Sequence, residues 1–512
     1  MKSYDLIIIG GGITGAGIFR EAAASGHSVL LLERHDFCSG TSSRSSKLVH
    51  GGLRYLRQGA LHLTMDSVRH RERLLRELPG LVTPLSFVMP VYQDTGPSAL
   101  QMKTGLFLYD LMAGKSRHRF LLPSELSATF PQMNPLWLKG GFLFEDAQVD
   151  DAALVLRLIR EGCLYPGAEA LNYTEVTGLV RRPDGRVTGV RTRDGEIGEN
   201  NAYGSALVIN ATGADAALIH PLPSRKQHMR PLRGSHLVFP ASLLPLRTAV
   251  SFLHPEDHRP VFLLPWEGVL LLGTTDRDAH ASDMHTPRIR SEEISYLLTA
   301  VQRVFPGIAF HRDSILSTFS GIRPVLSMDR DRSPSDESRE HITWQSPGLI
   351  SVTGGKLTTF RKLARDTLKL ACRQKKMKLP DFRTPVVNTR HLPCPPLLNP
   401  ACWQRLCGRY GEDILKINFR NQSMVQPITG THHIRAEILL AAADSSVRHL
   451  DDLLLRRLRL GILLKNGAMG LIPEIRELAS SELGWSDDKW NNEIIRYGAI
   501  WQKEHCPNGN LP

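Results

Sequence analysis

The sequence predicts a mixed α/β (α+β) chain in three parts: a Rossmann-like dinucleotide-binding domain, a β-sheet domain interleaved with it, and a small helical C-terminal domain. Three observations carry this. The first thirty-odd residues read as strand, glycine turn, helix, strand. Short alternating apolar runs crowd residues 228–325. Beyond a proline-rich stretch near 390 the apolar pattern turns helical. In the opening stretch, Asp5 to Ile9 is an Ile-rich run of the kind found in a strand buried on both faces. Gly10-Gly11-Gly12-Ile13-Thr14-Gly15 fits G-x-G-x-x-G. Gly10 permits the tight turn, Gly12 lets backbone approach a pyrophosphate, and Gly15 lets the next helix pack closely on the strand. That helix points its free N–H groups and the positive end of its dipole at the turn, where phosphate is attracted. Ser28 to Leu32 is the second strand, ending at Glu33, an acid that can accept from both hydroxyls of a ribose. It disfavours a 2′-phosphate, so FAD or NAD fits better than NADP.

At 512 residues the chain has room for two or three domains, and 42% apolar with 22% charged residues is ordinary for a globular protein. No run of about eighteen apolar residues occurs, so no transmembrane helix is expected. A first strand beginning at residue 4 leaves no space for a leader, and the expectation is a cytoplasmic protein. The seven cysteines lack any C-x-x-C pair, so no metal site is expected, and an odd number suits a reducing compartment. The net charge of +12 fits nucleic acid, anionic lipid, an anionic substrate or plain solubility. Lysines and arginines are spread without long basic runs or interleaved aromatics, which ranks nucleic acid last.

Residues 41–56 (TSSRSSKLVHGGLRYL) are too polar and glycine-rich for a core element. The hydroxyls of Thr41, Ser42 and Ser46, backbone N–H groups and Lys47 can follow a pyrophosphate. Gly51-Gly52 allows backbone to press on a flat ring, and Arg54 offers a forked donor for phosphate or carboxylate. The bland alternative is a solvated loop. The segment SSKLVHGGLRYL resembles the one after the first nucleotide motif in the FAD-dependent, respiratory, quinone-linked glycerol-3-phosphate dehydrogenase family.

The rest of the chain extends that resemblance in order. Residues 62–80 read as a basic amphipathic helix ended by Pro79-Gly80. Residues 100–122 join an apolar helix to the cluster Lys115, Arg117, His118, Arg119, either a membrane-interface element or a core helix followed by a loop. Gly140 to Asp151 leads into a helix; the resemblance makes this the return to the FAD domain. Residues 176–180 and 186–191 form a hairpin around Pro183-Asp184-Gly185. Residues 206–213 form a buried strand, whose NATG end, with Ala211 and Gly213, resembles the second flavin-fold signature. The family often continues with proline and tryptophan, where this chain has Ala214-Asp215. RGSH at 233–236, GTTD at 273–276 and SGIRP at 320–324 match family motifs, as does GGKLTTFRK at 354–362, where Gly354, Gly355, Lys356 and Leu357 bring backbone and a helix start to the flavin. Residues 434–465 resemble the family's helical C-terminal domain.

The implied domains are 1–75, 140–225 and 340–385 for FAD, 76–139 and 226–339 for substrate, and 390–512 for the helical domain. The implied reaction takes sn-glycerol 3-phosphate to dihydroxyacetone phosphate, with hydride passing from C2 to FAD. His236 is the candidate base, while by its residue type alone a lone histidine is more often structural. Arg54 and Arg323, with Lys356, are the candidate phosphate grip, and Tyr55 and His236 are further candidate substrate contacts. The expected partners are the substrate, a quinone, an anionic membrane surface and, as an open option, a second copy in a homodimer. The expected location is peripheral, on the inner face of the cell membrane. A glycerol-3-phosphate oxidase using oxygen, or another FAD-dependent amine or hydroxy-acid oxidase, is the alternative.

Overall fold

The computed structural model describes residues 1–507 except 54, 55, 57, 58, 94–98, 116, 117, 225–227, 328–339 and 376. Among the described residues the chain builds two sheets. The first has eight strands. Lys2–Ile9 lies in its middle, parallel to Val29–Leu32 on one side and Asn200–Asn210 on the other. Leu6, Ile7 and Ile8 are fully buried, as a strand covered on both faces requires. Leu6 and Ile8 face the helices Ile13–Ala24, Asp151–Cys163 and Phe360–Gln374, while Ile7 and Ile9 face the hairpin Thr174–Arg181 and Val187–Asp194. Each such side chain contributes about 1.5–3 kcal/mol. Close packing needs small residues here: a Cβ on Gly17 would sit 2.8 Å from the Phe360 ring. Buried Arg361 then ties two of the elements together, reaching Glu21 at 2.5 Å and Glu77 at 2.9 Å.

The second sheet has nine strands, from two visits of the chain. One visit contributes Val82–Tyr92, Arg119–Leu121 and Leu138–Val149; the other runs from His228–Pro240 to Ser317–Ser327. This corrects a boundary. Leu138–Val149 pairs with Val82–Tyr92 along nearly its whole length, so residues 140–149 belong to the second sheet. The return comes at Asp150, whose carboxylate accepts from Ala152 and Ala153 N–H and caps the helix Asp151–Cys163. The resemblance implies a return to the FAD domain at Gly140, but the strand runs through Gly140-Gly141.

The C-terminal part is helical, with Pro400–Tyr410, Ala436–Ala442, Ile472–Leu483 and Asp487–Glu504. It shares one apolar core with the second sheet, joining Leu453, Leu455 and Trp490 to Phe87, Trp266 and Phe319. It is also tied to the first domain by buried charge: Arg456 and Arg457 both bind Asp36, and Arg409 binds Asp150 at 2.7 Å.

Candidate active site

A cavity of about 1330 Å³ runs between the two sheets, from Glu33 and Val176 past Gly12 and Thr14 to Arg323, Lys356 and Phe87. At its first end the glycine turn is built as the spacing requires. Gly10 has φ +108°, and a Cβ there would lie 2.6 Å from the Ala211 carbonyl oxygen. A Cβ on Gly15 would fall 1.8 Å from the Gly10 oxygen, so this glycine seats the helix on the strand. Gly12 starts the helix without a side-chain cap and lines the cavity. The Ser42 hydroxyl accepts from Ile13 N–H at 2.9 Å, which docks the turn Thr41–Ser43 against the helix start. The Glu33 carboxylate accepts from Gly11 N–H at 2.7 Å and His35 N–H at 3.0 Å, and keeps lone pairs for ribose hydroxyls. Ala211, Gly213, Gly52, Gly354, Gly355 and Leu357 complete the wall. A helix N-terminus at the cavity wall, a cleared glycine path and a terminal acid fit a dinucleotide.

Lys47 and Gly51, both expected at the cofactor, are absent from the cavity lining. Lys47 is fully buried and outside the cavity lining; its Nζ donates to Asp151 at 2.8 and 2.9 Å and to the Ser43 oxygen at 2.7 Å. Burial, with Arg459 nearby, lowers its pKa to about 8. An ion pair at the core won over a loop position that looked open in sequence. Gly51 donates to Tyr109 Oη at 2.9 Å, and a Cβ there would clash with that hydroxyl at 2.3 Å. It serves packing, and Gly52 faces the cavity.

In the cavity wall Arg323 donates from Nη1 to Asp276 Oδ1 at 2.8 Å and from Nη2 to Thr274 Oγ1 at 3.0 Å. Lys356 lines the same cavity, its Nζ 3.3 Å from Ser67 Oγ. The helix expected at Leu357 begins with a single turn, Leu357–Thr359, before Phe360–Gln374. Arg54 and Tyr55 lie outside the described residues.

His236 is placed differently from a base that touches substrate. It is 2% exposed, stacked on Phe319 at 4.6 Å, and is not part of the cavity lining. Its Nε2 lies 2.9 Å from the Ser46 hydroxyl, which does line the cavity, and its buried Nδ1 has no partner. Burial first, then the charges of Arg323 and Lys47, hold its pKa well below the usual histidine value. The ring is therefore neutral and stands one hydroxyl behind the wall. Sequence reasoning missed three residues. His50 and Arg259 line the cavity, and Asp276 binds Arg259 at 3.1 Å as well as Arg323. His50 stood inside a quoted motif, between Val49 and Gly51, whereas Arg259 has no local signal. Among the described residues no group of three His, Cys, Asp or Glu is arranged to hold a metal. No described helix is long and apolar enough to cross a membrane.

Comparison with known proteins shows the family. Residues 5–361 match the family model for FAD dependent oxidoreductases, and residues 352–490 match the C-terminal domain of alpha-glycerophosphate oxidase. The chain is similar to glycerol-3-phosphate dehydrogenase of Synechocystis sp., with 29% identity over 99% of this chain and 98% of that one. It is also similar to glycerol-3-phosphate dehydrogenase 2 of Mycobacterium bovis, with 32% identity over 98% and 89%. In fold it resembles the glycerol-3-phosphate dehydrogenase of Bacillus halodurans solved with FAD, at TM-score 0.75, 23% identity and coverage of 100% and 96%. The chain belongs to the FAD-dependent glycerol-3-phosphate dehydrogenase family, and its cofactor is FAD.

Proposed function

We propose that this flavoprotein oxidises sn-glycerol 3-phosphate to dihydroxyacetone phosphate and hands the electrons to a quinone at the inner face of a membrane. Bound FAD supplies the hydride acceptor. Arg323 binds the phosphate, joined by Lys356 and, beyond the described residues, by Arg54. Holding the non-reacting end of the substrate orients C2, and such positioning supplies much of a catalyst's rate gain. The substrate hydroxyl gives its proton to Ser46, which passes its own to Nε2 of neutral His236 across 2.9 Å. The observation that carries the substrate reading is a guanidinium, Arg323, lining the same cavity as the nucleotide cradle.

The acceptor reading rests on the helix Ala99–Ala113. Its Met102 and Leu108 line the apolar end of the cavity beside Phe87 and Met89. Its Leu100, Phe107 and Leu111 are 73%, 59% and 69% exposed, with Lys103 and Lys115 exposed on the same helix and at its end. One helix thus joins an apolar outer face, flanked by cations, to an apolar inner vestibule, as an interfacial element serving a lipid-soluble acceptor would. The test is turnover with glycerol 3-phosphate in the presence of anionic vesicles, with a water-soluble quinone or with oxygen as acceptor. Quinone reduction that exceeds oxygen consumption, with protein on the vesicles, is expected. Stoichiometric peroxide with protein left in solution would favour the oxidase instead.

A further inference from the structure

We propose that Asp276 is a positioning residue that holds Arg323 and Arg259 side by side, making one two-guanidinium site for a phosphate monoester dianion. The proposal rests on the reading of Arg323 as the phosphate grip. Arg323 lies within the strand Ser317–Ser327 and Arg259 just before the strand Pro260–Trp266, and they share no sequence motif, yet both line the cavity and both reach the same carboxylate. Oδ1 of Asp276 accepts from Arg323 Nη1 at 2.8 Å, and Oδ2 pairs with Arg259 Nη2 at 3.1 Å. The Asp276 carbonyl oxygen accepts from Arg259 Nη1 at 3.1 Å, so both terminal nitrogens of that arginine are held by one residue. The carboxylate is 3% exposed, while the two guanidiniums are 22% and 20% exposed. The negative group is hidden and the positive groups face the space. The donor forks of two guanidiniums suit a tetrahedral dianion better than a single carboxylate.

The frame behind the carboxylate is rigid. Thr275 donates to Glu293 Oε1 at 2.6 Å and accepts from Ser235 N–H at 3.0 Å. Glu293 in turn pairs with buried Arg233 at 2.8 Å. On the other side, Gly234 leaves space for Arg323 to lie across its strand; a Cβ there would meet Nη2 at 2.3 Å. The turn that carries Asp276 is therefore anchored independently of the arginines it orients.

The test uses the FAD-loaded enzyme and two probes, glycerol 3-phosphate for KM and kcat and inorganic phosphate as a competitive inhibitor. Asp276→Asn keeps the volume and removes the charge. Electrostatics alone would then tighten anion binding, because a negative charge has left the site. Positioning predicts the opposite: KM and the phosphate inhibition constant both rise about tenfold, with kcat within about twofold and FAD retained. Arg259→Ala raises the phosphate constant by about the same factor. In an Arg323→Ala background Asp276→Asn adds less than about twofold, because the residue it acts through is gone. Thr274→Val, which removes only the hydroxyl on Nη2, gives a smaller rise in the same direction and serves if the Asn variant folds poorly. Phosphate binding in Asp276→Asn that is unchanged or tighter, while Arg323→Ala loses it, overturns this proposal and leaves the grip standing. Arg323→Ala with unaltered phosphate binding overturns the grip itself and the proposal with it.

Discussion

Gly234→Ala separates the role of Arg323 from its charge without touching that residue. The added Cβ would stand 2.3 Å from Nη2, 2.6 Å from Cζ and 2.7 Å from Nη1 of Arg323. Ordinary carbon contacts begin near 3.5 Å, so the guanidinium has to move by about 1 Å. The strand cannot move in its place. Residues 228–238 pair in unbroken register with residues 317–327, including Leu232 opposite Arg323 and Gly234 opposite Gly321. A shift of that size breaks the contacts to Asp276 and Thr274, now 2.8 and 3.0 Å long, and turns the fork away from the anion. Hydrogen bonds to charged groups are worth about 1.5–3 kcal/mol, so KM for glycerol 3-phosphate should rise about 10- to 150-fold. FAD content and melting temperature should hold, since alanine is no worse than glycine in a strand. Steady-state kinetics with a parallel thermal melt decide it. A KM within about twofold of wild type in a folded, FAD-loaded variant would refute the argument.

Other perturbations test other parts of the account. Gly15→Ala puts a methyl 1.8 Å from a backbone oxygen that cannot yield, and should purify without FAD or fail to fold; a yellow, active variant would contradict the role given to the turn. Lys47→Met leaves Asp151 as an under-compensated buried charge and should cost about 3–5 kcal/mol in denaturant unfolding, mostly recovered by adding Asp151→Leu. His505 is buried, donates from Nδ1 to the Thr318 oxygen at 2.8 Å and has its pKa lowered to about 4, chiefly by burial. The unfolded chain therefore binds the extra proton between about pH 6.5 and 4, and stability should fall as pH drops through that window, by up to about 3 kcal/mol. His505→Gln should flatten that slope, and an unchanged slope would assign the loss elsewhere. Phe107→Glu with Leu111→Glu should release the protein from anionic vesicles while leaving reduction by glycerol 3-phosphate intact; unchanged sedimentation with vesicles would remove this helix from the membrane contact.

Local chemistry explains which features were legible in the sequence. The glycine turn, its flanking strands and Glu33 are set by neighbours within about thirty residues, and a backbone that must approach phosphate leaves few residue types to choose from. The hairpin around Gly185, at φ +83°, was readable for the same reason. What the sequence hid depends on contacts across the fold. Lys47 and Asp151 are 104 residues apart, and nothing near Lys47 indicates that it is sealed under Phe319. Arg259 and Arg323 are far apart in the chain, and only the fold brings both to the carboxylate of Asp276. The boundary implied at Gly140 by the resemblance shifts to Asp150 because residues 140–149 pair with a strand from much earlier in the chain, Val82–Tyr92. His236 was found by its motif, but its setting behind Ser46 was not, since burial of one histidine leaves no periodic trace.

The most direct measurement mixes the FAD-loaded protein with glycerol 3-phosphate in the absence of oxygen and follows the visible absorbance of the flavin. The account predicts rapid loss of colour in the wild type and loss of saturation by substrate in Arg323→Ala with FAD still bound. A flavin that stays oxidised in the presence of glycerol 3-phosphate, with FAD in place, would contradict the substrate assignment and bring forward a hydroxy acid or an amine.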